Sequence, residues 1–482
     1  MTKKIISATL ILIGFFGLIA SIFVDLLREG SLDIQAAQIL TIGISLITII
    51  IGTIIWQIPT GENYFINLIK ILDKAPLSLW GMIGFFASYL IFFIWPMFFG
   101  NQARILYFNK YLPDRSPIGS DLLFLVDLIR QWLVENITPF HITLYPPFTY
   151  IFFSPLTLIN DTDQLYKFFS LATIASFVLS SLLIPLLINK GKDKIFLYTL
   201  FTVSLFSYGL QFELERGQFN IIAFLFSIAA IYIYHHHHSF RHYAYILFSI
   251  AVQLKIYPAI FIFMLVQNWR DWKRNLLRAV LLGLSNFALL FVMGLQPFQE
   301  FINAIIAQLK NLDWAWEGNH SINSFVLYFF QKGGLGLLTS ESLESMRKYS
   351  GVISDGLLFI FLLILLLALY KTYQDNSPGI DTNLFLTCAI GALIIPISHD
   401  YTLPILSAPM TLALSSAANK TYGKNKPIAI LLLIVTTAAY VAVIYPFKYK
   451  AIFFQNSFPF LFITLVTMGI LSRMGTTPEG AT

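Results

Sequence analysis

The residue with the clearest chemical use is Asp121, which follows a glycine and a serine just before an apolar segment over residues 122–134. A carboxylate in the first turn of a helix lies near the positive end of the helix dipole, which favours its ionised form. An ionised carboxylate can act as a general base and remove the proton from an attacking hydroxyl group. The alternative is a plain helix cap, because serine and aspartate both bond to free N–H groups at helix starts.

The same segment predicts an amphipathic helix on the outer membrane surface. Asp127, Arg130 and Gln131 are spaced three and four residues apart, so they share one polar face opposite an apolar one. A helix of this kind lies flat at the boundary between lipid and water. In that position Asp121 would meet the headgroup of a lipid-linked substrate.

A second polar set interrupts the apolar sequence before residue 221. Its members that we single out are Glu213, Glu215, Arg216, Gly217, Gln218 and Asn220. Arg216 can bind a phosphate through two parallel hydrogen bonds, with Glu213 or Glu215 positioning it. Gln218 and Asn220 carry both donors and acceptors, which suits sugar hydroxyls. The competing interpretation is a glutamate–arginine pair that caps a short outer connection.

Prolines break two further apolar stretches, after Tyr145 and after Lys255. Proline lacks the backbone donor that a regular helix needs. A lysine in apolar surroundings is costly, so Lys255 predicts either a phosphate or pyrophosphate ligand or a buried carboxylate partner. Tyr145 would stack on a sugar ring at a rigid corner, or else anchor the chain at the membrane interface.

Two segments rich in aromatic and polar residues, 313–321 and 398–401, complete the candidate site. Asn319 and His320 in the first, with His399 and Asp400 in the second, suit carbohydrate binding. His399 and Asp400 are also candidates for proton transfer or metal binding. Interfacial anchoring by the neighbouring tryptophans and tyrosine is the competing account.

The elements that must position these residues are transmembrane helices. Of the 482 residues, 57% are hydrophobic and only 12% are charged, about half the share of charged residues in a soluble protein. This composition excludes a cytosolic enzyme and a nucleic-acid binder, and the single Cys388 excludes a disulfide framework. Apolar segments of about 20 residues predict an all-α polytopic membrane protein with about 12 to 14 crossings.

Basic residues predict the orientation of the chain. Short connections at residues 190–194, 270–274 and 420–426 are rich in lysine and arginine, which places them in the cytoplasm. The longer connections 100–145 and 296–351 have nearly balanced charges and are expected outside. The net charge of +6 is therefore attributed to the cytoplasmic connections.

Two apolar stretches disturb the count of crossings. Stretch 146–160 contains Pro147 and Pro155, and we expect a re-entrant hairpin that returns to the outer face. Stretch 242–267 is expected to rise as one short helix, break near Lys255 and descend as another. Non-helical backbone within a membrane must be buried in protein or line a cavity, so both breaks indicate a site.

The order of these motifs resembles glycosyltransferase family 87. The matching motifs are Gly119–Asp121, Tyr145–Pro147, Pro155–Leu156, Gly217–Asn220, Lys255–Pro258 and Gly318–Ser321. The resemblance covers roughly residues 80–405. We therefore expect a two-helix transmembrane extension over residues 1–79 and a catalytic membrane domain over residues 80–482.

The resemblance implies a GT-C fold and a polyprenyl-phosphate sugar donor, used on the extracytoplasmic face of the cell membrane. It implies Asp121 as the base, with Gly217, Gln218, Asn220 and Lys255 near the donor or acceptor. The family includes mannosyltransferases, so mannose is the candidate sugar. The acceptor would be a glycan, glycolipid or lipid, and neither a nucleotide cofactor nor a metal is indicated.

The chemistry of the residues themselves agrees with a polyprenyl-phosphate sugar donor. A sugar phosphate is already activated, and Lys255 or Arg216 can stabilise the departing lipid phosphate. In-line attack by the acceptor predicts inversion at the anomeric carbon. Two alternatives stay open: a transporter or flippase of lipid-linked saccharides, and an envelope polysaccharide polymerase or ligase. Transporters, however, usually show two related halves and midplane sites, whereas these polar residues gather toward one face.

Overall fold

A computed structural model describes residues 75–89, 118–135, 144–310, 318–331, 348–376, 379–395, 398–444 and 456–474. Over these residues the chain is helical, and an isolated two-residue bridge is its only β-type pairing. The expected all-α architecture is thereby confirmed. The first two expected spans lie outside the described residues, so the boundary of the extension at residue 79 stays a prediction.

The first half of the described chain forms eight helices. They are α1 (Leu77–Tyr89), α2 (Ser120–Glu135), α3 (Pro147–Phe153), α4 (Thr162–Ile188), α5 (Lys194–Leu205), α6 (Tyr208–Arg216), α7 (Asn220–His236) and α8 (Arg241–Leu254). A π-turn over Leu179–Leu183 lies inside α4. Short 3-10 helices follow α3 over Ser154–Leu158 and α8 over Tyr257–Met264.

The second half of the described chain continues in the same way. Its helices are α9 (Trp272–Leu289), α10 (Leu295–Lys310), α11 (Ile322–Gln331), α12 (Ser350–Asp375), α13 (Thr382–Ile394), α14 (Ser407–Ala418), α15 (Lys426–Ile444) and α16 (Phe458–Arg473). A 3-10 helix over Asp400–Leu406 leads directly into α14. All helices from α1 onward belong to one compact unit.

Several helices are suited to cross a membrane. Among the described residues, three are long and apolar enough to do so alone: α4, α12 and the helix Gly423–Ala442 that contains most of α15. Helices α5 and α6, bent by 48° at their junction, form a fourth span if the pair counts as one. Shorter apolar helices include α1, α7, α13 and α16. The chain is therefore a multi-pass membrane protein.

The basic connections meet at one end of this unit, which we call the basic end (residues 189–194, 265–272, 376–381 and 419–426). The side chain of Asn419 donates to Asp193 Oδ2, joining the first and last of these connections. The backbone of Trp269 donates to Asn376 Oδ1 at 2.9 Å, joining the middle two. Ile380 and Lys420 line the same cavity, so the two pairs of connections adjoin.

The other end holds the breaks between helices, and we call it the site end (residues 118–121, 145–146, 217–219, 255–256, 318–321, 398–401 and 456–457). Helix α7 runs from Asn220 at the site end to His236 near the basic end. Its 17 residues span roughly 25 Å at 1.5 Å per residue. The two ends are thus separated by nearly the thickness of a hydrocarbon core.

Both proline-broken stretches return to the end where they start, as expected. Helix α8 ends at Leu254 and the 3-10 helix descends from Tyr257, so that the side chain of Arg241 can donate to that of Gln267 at the basic end. The first stretch also returns to the site end, because the ring of Tyr166, which follows it, lies against Gly119, and Tyr166 Oη donates to the carbonyl of Leu214 at 3.1 Å. Each break therefore places irregular backbone against the candidate site.

Helix α2 is amphipathic, in agreement with the sequence. Its buried residues are Leu122, Leu125, Val126, Leu128 and Ile129. On the opposite side, Gln131 Nε2 donates to Asp127 Oδ2 at 2.9 Å in an exposed pair. Its flat orientation on the membrane stays a prediction.

Candidate functional site

Two glycines bring the start of α2 against the end of α6. Gly217 ends α6 with a φ of 67°, and a Cβ there would lie 2.7 Å from the Cβ of Leu122. Only glycine tolerates both this conformation and this approach. The backbone N–H of Gly119, which also has a positive φ of 72°, donates to the carbonyl of Glu215 at 2.8 Å. The contact sets Asp121 beside Arg216.

The carboxylate of Asp121 is held by two side chains from beyond α2. Arg216 donates to both of its oxygens, from Nε to Oδ2 at 3.2 Å and from Nη2 to Oδ1. Gln218 Nε2 donates to Oδ2 as well. The side chains of Asp121 and Arg216 are 19% and 42% exposed, so the pair stays open to ligands. These contacts, rather than a capping bond alone, occupy the carboxylate.

Gln218 connects this pair to the two proline-broken segments. Its buried amide Nε2 also lies 3.3 Å from Tyr145 Oη, to which it can donate. Its Oε1 accepts from Lys255 Nζ at 3.0 Å. We call Asp121, Tyr145, Arg216, Gln218 and Lys255 the Asp121 cluster. Five residues from four separate segments therefore form one polar site.

Aromatic rings enclose the ammonium group of Lys255. Its Nζ lies 4.6 Å from the ring centre of Tyr145 and 4.4 Å from that of Phe219, within cation–π range. Lys255 and Tyr145 lie in breaks outside the spanning helices. Burial lowers the pKa of Lys255 to about 8, although the charges of Glu213 and Asp121 act against it. Burial, with the charge of Asp121, raises the pKa of Tyr145, which stays protonated.

A second group, the His320 cluster, consists of residues 319–321, 398–400 and 456–457. His320 Nε2 lies 3.0 Å from Asp400 Oδ1, and both side chains are essentially fully buried. The backbone N–H of Ser457 donates to His320 Nδ1 at 3.2 Å. The proton of a neutral imidazole is thereby assigned to Nε2, which donates to Asp400.

The backbone of this cluster is also tied together. Asn319 and His399 form an isolated antiparallel bridge, and the N–H of His320 donates to the carbonyl of Ser398 at 2.8 Å. Asn456 Nδ2 donates to the carbonyl of Asn319 at 2.7 Å. Three chain segments far apart in sequence are thus held in one place.

The two clusters adjoin each other. Asn220 Nδ2 lies 3.5 Å from the carbonyl of Tyr401, and the ring of Tyr401 stacks on Phe212 at 5.8 Å. His399 experiences the charges of both Lys255 and Asp121, yet burial dominates and lowers its pKa to about 4. The imidazole of His399 is therefore neutral near pH 7. A neutral side chain therefore lies beside the charged Asp121 cluster.

The structure thus brings together the residues singled out from the sequence, with three corrections. The sequence predicts a connection over residues 212–220, but Phe212–Arg216 belong to helix α6, so the connection contains only residues 217–219. Arg216 pairs with Asp121, not with a glutamate: Glu213 is buried and accepts from the N–H of Ile221 at 2.8 Å, while Glu215 contributes its backbone carbonyl. Asp400 pairs with His320 rather than with its neighbour His399.

Sequence reasoning missed Asn456 and Ser457, which complete the His320 cluster. The available signal was a polar dipeptide directly before the apolar residues of α16. Residues 313–317, part of the same predicted segment as Asn319, lie outside the described residues. Within the described ranges, no group of three or more His, Cys, Asp or Glu side chains is arranged to hold a metal ion.

A carboxylate beside two cations, at one end of a set of apolar helices, suits group transfer from an anionic donor to a hydroxyl. The family model of glycosyltransferase family 87 matches residues 143–396, which is more than half of the chain. The match includes Tyr145, Arg216, Gln218 and Lys255. No curated protein and no solved structure matches the chain. The resemblance is confirmed: the chain belongs to glycosyltransferase family 87 and is a membrane glycosyltransferase.

Proposed function

We propose that this glycosyltransferase moves a sugar, with mannose as the candidate, from a polyprenyl-phosphate donor to an acceptor hydroxyl on the extracytoplasmic face. The transfer inverts the anomeric carbon. The observation that carries the proposal is the Asp121 cluster, in which one carboxylate and two cations from separate segments meet in an apolar protein. The carboxylate suits the hydroxyl of the acceptor, and the cations suit the phosphate of the donor.

Asp121 retains room for an acceptor. An ionised carboxylate offers about four lone-pair positions, and Arg216 and Gln218 occupy three of them. The remaining position, on a side chain that is 19% exposed, can accept a bond from a sugar or lipid hydroxyl. As that oxygen attacks the anomeric carbon, its proton passes to Asp121. Arg216 orients the carboxylate during this step.

Lys255 and Arg216 would receive the leaving phosphate. Negative charge builds up on the lipid phosphate as its bond to the sugar breaks, and fixed cations lower the energy of that state. Arg216 is 42% exposed and can contact the phosphate with donors that Asp121 does not use. Lys255 lacks a carboxylate within bonding distance among the described residues and bonds to the neutral amide of Gln218 instead. Its charge is therefore available to the donor.

The distribution of charge supports an extracytoplasmic site. The three basic connections that the positive-inside rule assigns to the cytoplasm contribute to the basic end. The Asp121 cluster lies at the site end, across the length of α7. A polyprenyl-phosphate donor would present its sugar there.

Asp121→Asn and Asp127→Asn test the assignment of the base. Both residues lie on α2 and both changes remove one charge, but within the described ranges Asp127 bonds only to Gln131, on the exposed side. We expect Asp121→Asn to insert normally and to lose transfer by about 10²- to 10⁴-fold. Asp127→Asn should retain nearly full activity.

The readout is mass spectrometry of envelope glycolipids and glycans in a strain that lacks the protein and is complemented with each variant. A product short by one sugar, restored by the wild type and by Asp127→Asn only, is the expected result. Equal loss with both variants would show that α2 acts as a structural element. A complete glycan left on the wrong side of the membrane would contradict transfer altogether.

A further inference from the structure

A large cavity lies at the basic end, far from the Asp121 cluster. It has a volume of about 1060 Å³ and is bounded by α12, α13, α14, α16 and the connections beside them. Cavities of this size hold small molecules in other proteins. None of its lining residues belongs to the Asp121 or His320 cluster. The proposed transfer reaction therefore does not account for it.

The lining of the cavity is amphipathic. Lys371, Lys420 and Arg473 lie at its polar part. Its apolar part includes Leu367, Val466 and Ile470, which are 48%, 42% and 45% exposed. Exposed aliphatic side chains on membrane-spanning helices face the hydrocarbon of the bilayer, so the cavity opens toward lipid. A suitable ligand must have both a polar headgroup and a hydrocarbon chain.

The charges of the cavity favour an anionic headgroup. Two acidic side chains also line it, but Asp381 is engaged by α13: it accepts from the N–H groups of Asn383 and Leu384 at 2.9 and 3.0 Å. Its other oxygen accepts from the hydroxyl of Thr372 at 2.6 Å. Asp375 remains as an exposed carboxylate at the end of α12. The cavity lining therefore contains three cationic side chains and only one carboxylate, that of Asp375, that is not held by α13.

Repulsion between cations adds to this preference. Burial lowers the pKa of Lys420, and the like charge of Lys371 lowers it further, against the opposing effects of Asp381 and Asp375. Lys371 is anchored, since its Nζ donates to the backbone carbonyl of Ser472. Lys420, in contrast, shows no side-chain hydrogen bond or ion pair among the contacts of the described residues. A phosphate beside Lys420 would relieve the repulsion.

We propose that this cavity binds an anionic glycerophospholipid, with the lipid phosphate in reach of Lys420 and Arg473 and an acyl chain along Leu367 and Val466. Basic pockets between transmembrane helices on the cytoplasmic side hold such headgroups in other membrane proteins. The lipid is neither donor nor acceptor of the sugar. It joins α12, α14 and α16 at the end opposite the reaction.

The test is lipid binding to the full-length protein, measured by native mass spectrometry in detergent. Dioleoyl-phosphatidylglycerol and dioleoyl-phosphatidylcholine have the same chains but differ in net charge. We expect the wild type to bind phosphatidylglycerol at least fivefold more tightly. The double variant Lys420→Gln/Arg473→Gln should weaken that binding by about fivefold for each charge removed.

Lys424→Gln is the matched control, because Lys424 is an exposed lysine of the same connection as Lys420 but does not line the cavity. It should bind phosphatidylglycerol like the wild type. Equal affinity for the two lipids, or equal weakening by Lys424→Gln, would overturn the proposal. Displacement of the lipid by millimolar inorganic phosphate would show that the site takes a free anion instead. No transfer is measured, so the result is independent of the proposed function.

Discussion

The Asp121 cluster and the His320 cluster adjoin each other, yet they differ in what surrounds their charges. Asp121 and Arg216 are 19% and 42% exposed, whereas His320 and Asp400 are 0% and 1% exposed. The second cluster is held mainly by bonds that involve backbone groups. The difference indicates two tasks. We propose that the Asp121 cluster meets the substrates and that the His320 cluster fixes the backbone behind them.

This division predicts opposite outcomes for substitutions in the two clusters. A change in the Asp121 cluster should reduce transfer and leave the fold intact. A change in the His320 cluster should reduce stability and leave the turnover of folded molecules nearly unchanged. Substitutions in the two clusters therefore test that division.

The largest effect is expected for His320→Ala. The substitution leaves Asp400 buried without its partner, and loss of one member of a buried pair costs about 3–5 kcal/mol. We expect a strong drop in the midpoint of thermal unfolding in detergent. The check is thermal unfolding together with transfer per folded molecule. A stable but inactive variant would show that His320 takes part in the reaction rather than in stabilising the fold.

A comparable loss, but in rate, is expected for Lys255→Met. The variant keeps the length of the side chain and its contacts with the rings of Tyr145 and Phe219, but removes the charge offered to the phosphate. Loss of one such group reduces turnover by about 10²- to 10³-fold. Thermal unfolding should change little, because burial of that charge is itself costly. Unchanged transfer would leave Arg216 as the phosphate-binding group.

A smaller effect is expected at the glycine that joins α6 to α2. Gly217→Ala places a Cβ 2.7 Å from that of Leu122 and in a left-handed conformation, which together cost about 2 kcal/mol. Stability and transfer should fall together, since Asp121 and Arg216 both depend on this contact. The matched control is Gly283→Ala on α9, where a Cβ meets nothing within 4 Å. Equal effects of the two changes would contradict the close approach.

The two clusters also show how far the sequence alone reaches. Asp121 and Lys255 were singled out because a charge in or beside apolar sequence is costly and needs a partner or a ligand. The pairing of Asp121 with Arg216 was not found, because the two lie 95 residues apart and Arg216 has two nearer acidic residues, Glu213 and Glu215. Tertiary packing decides such pairs, and no local pattern encodes them.

The helical architecture was easier to predict than the His320 cluster. Apolar segments of membrane length and two proline breaks gave the main helices and the return of both broken stretches, as the structure has them. Asn456 bonds to Asn319 and Ser457 bonds to His320, each across 137 residues and each through a backbone group. Backbone contacts place little constraint on side-chain type, so this part of the site left only a weak signal.

The smallest effect concerns pH and separates the two clusters once more. Burial lowers the pKa of Lys255 to about 8, so its ammonium is present below that pH and is lost as the pH rises through it. Transfer should fall about twofold by pH 8 and about tenfold by pH 9, as the fraction of charged lysine decreases. The check is kcat/KM between pH 6.5 and 9, with thermal unfolding measured in the same buffers. Lys255→Arg keeps its charge over this range, so its residual transfer should stay level. If transfer by both proteins declines together, the titrating group is not Lys255, and the role of the lysine as a phosphate-binding cation loses its support.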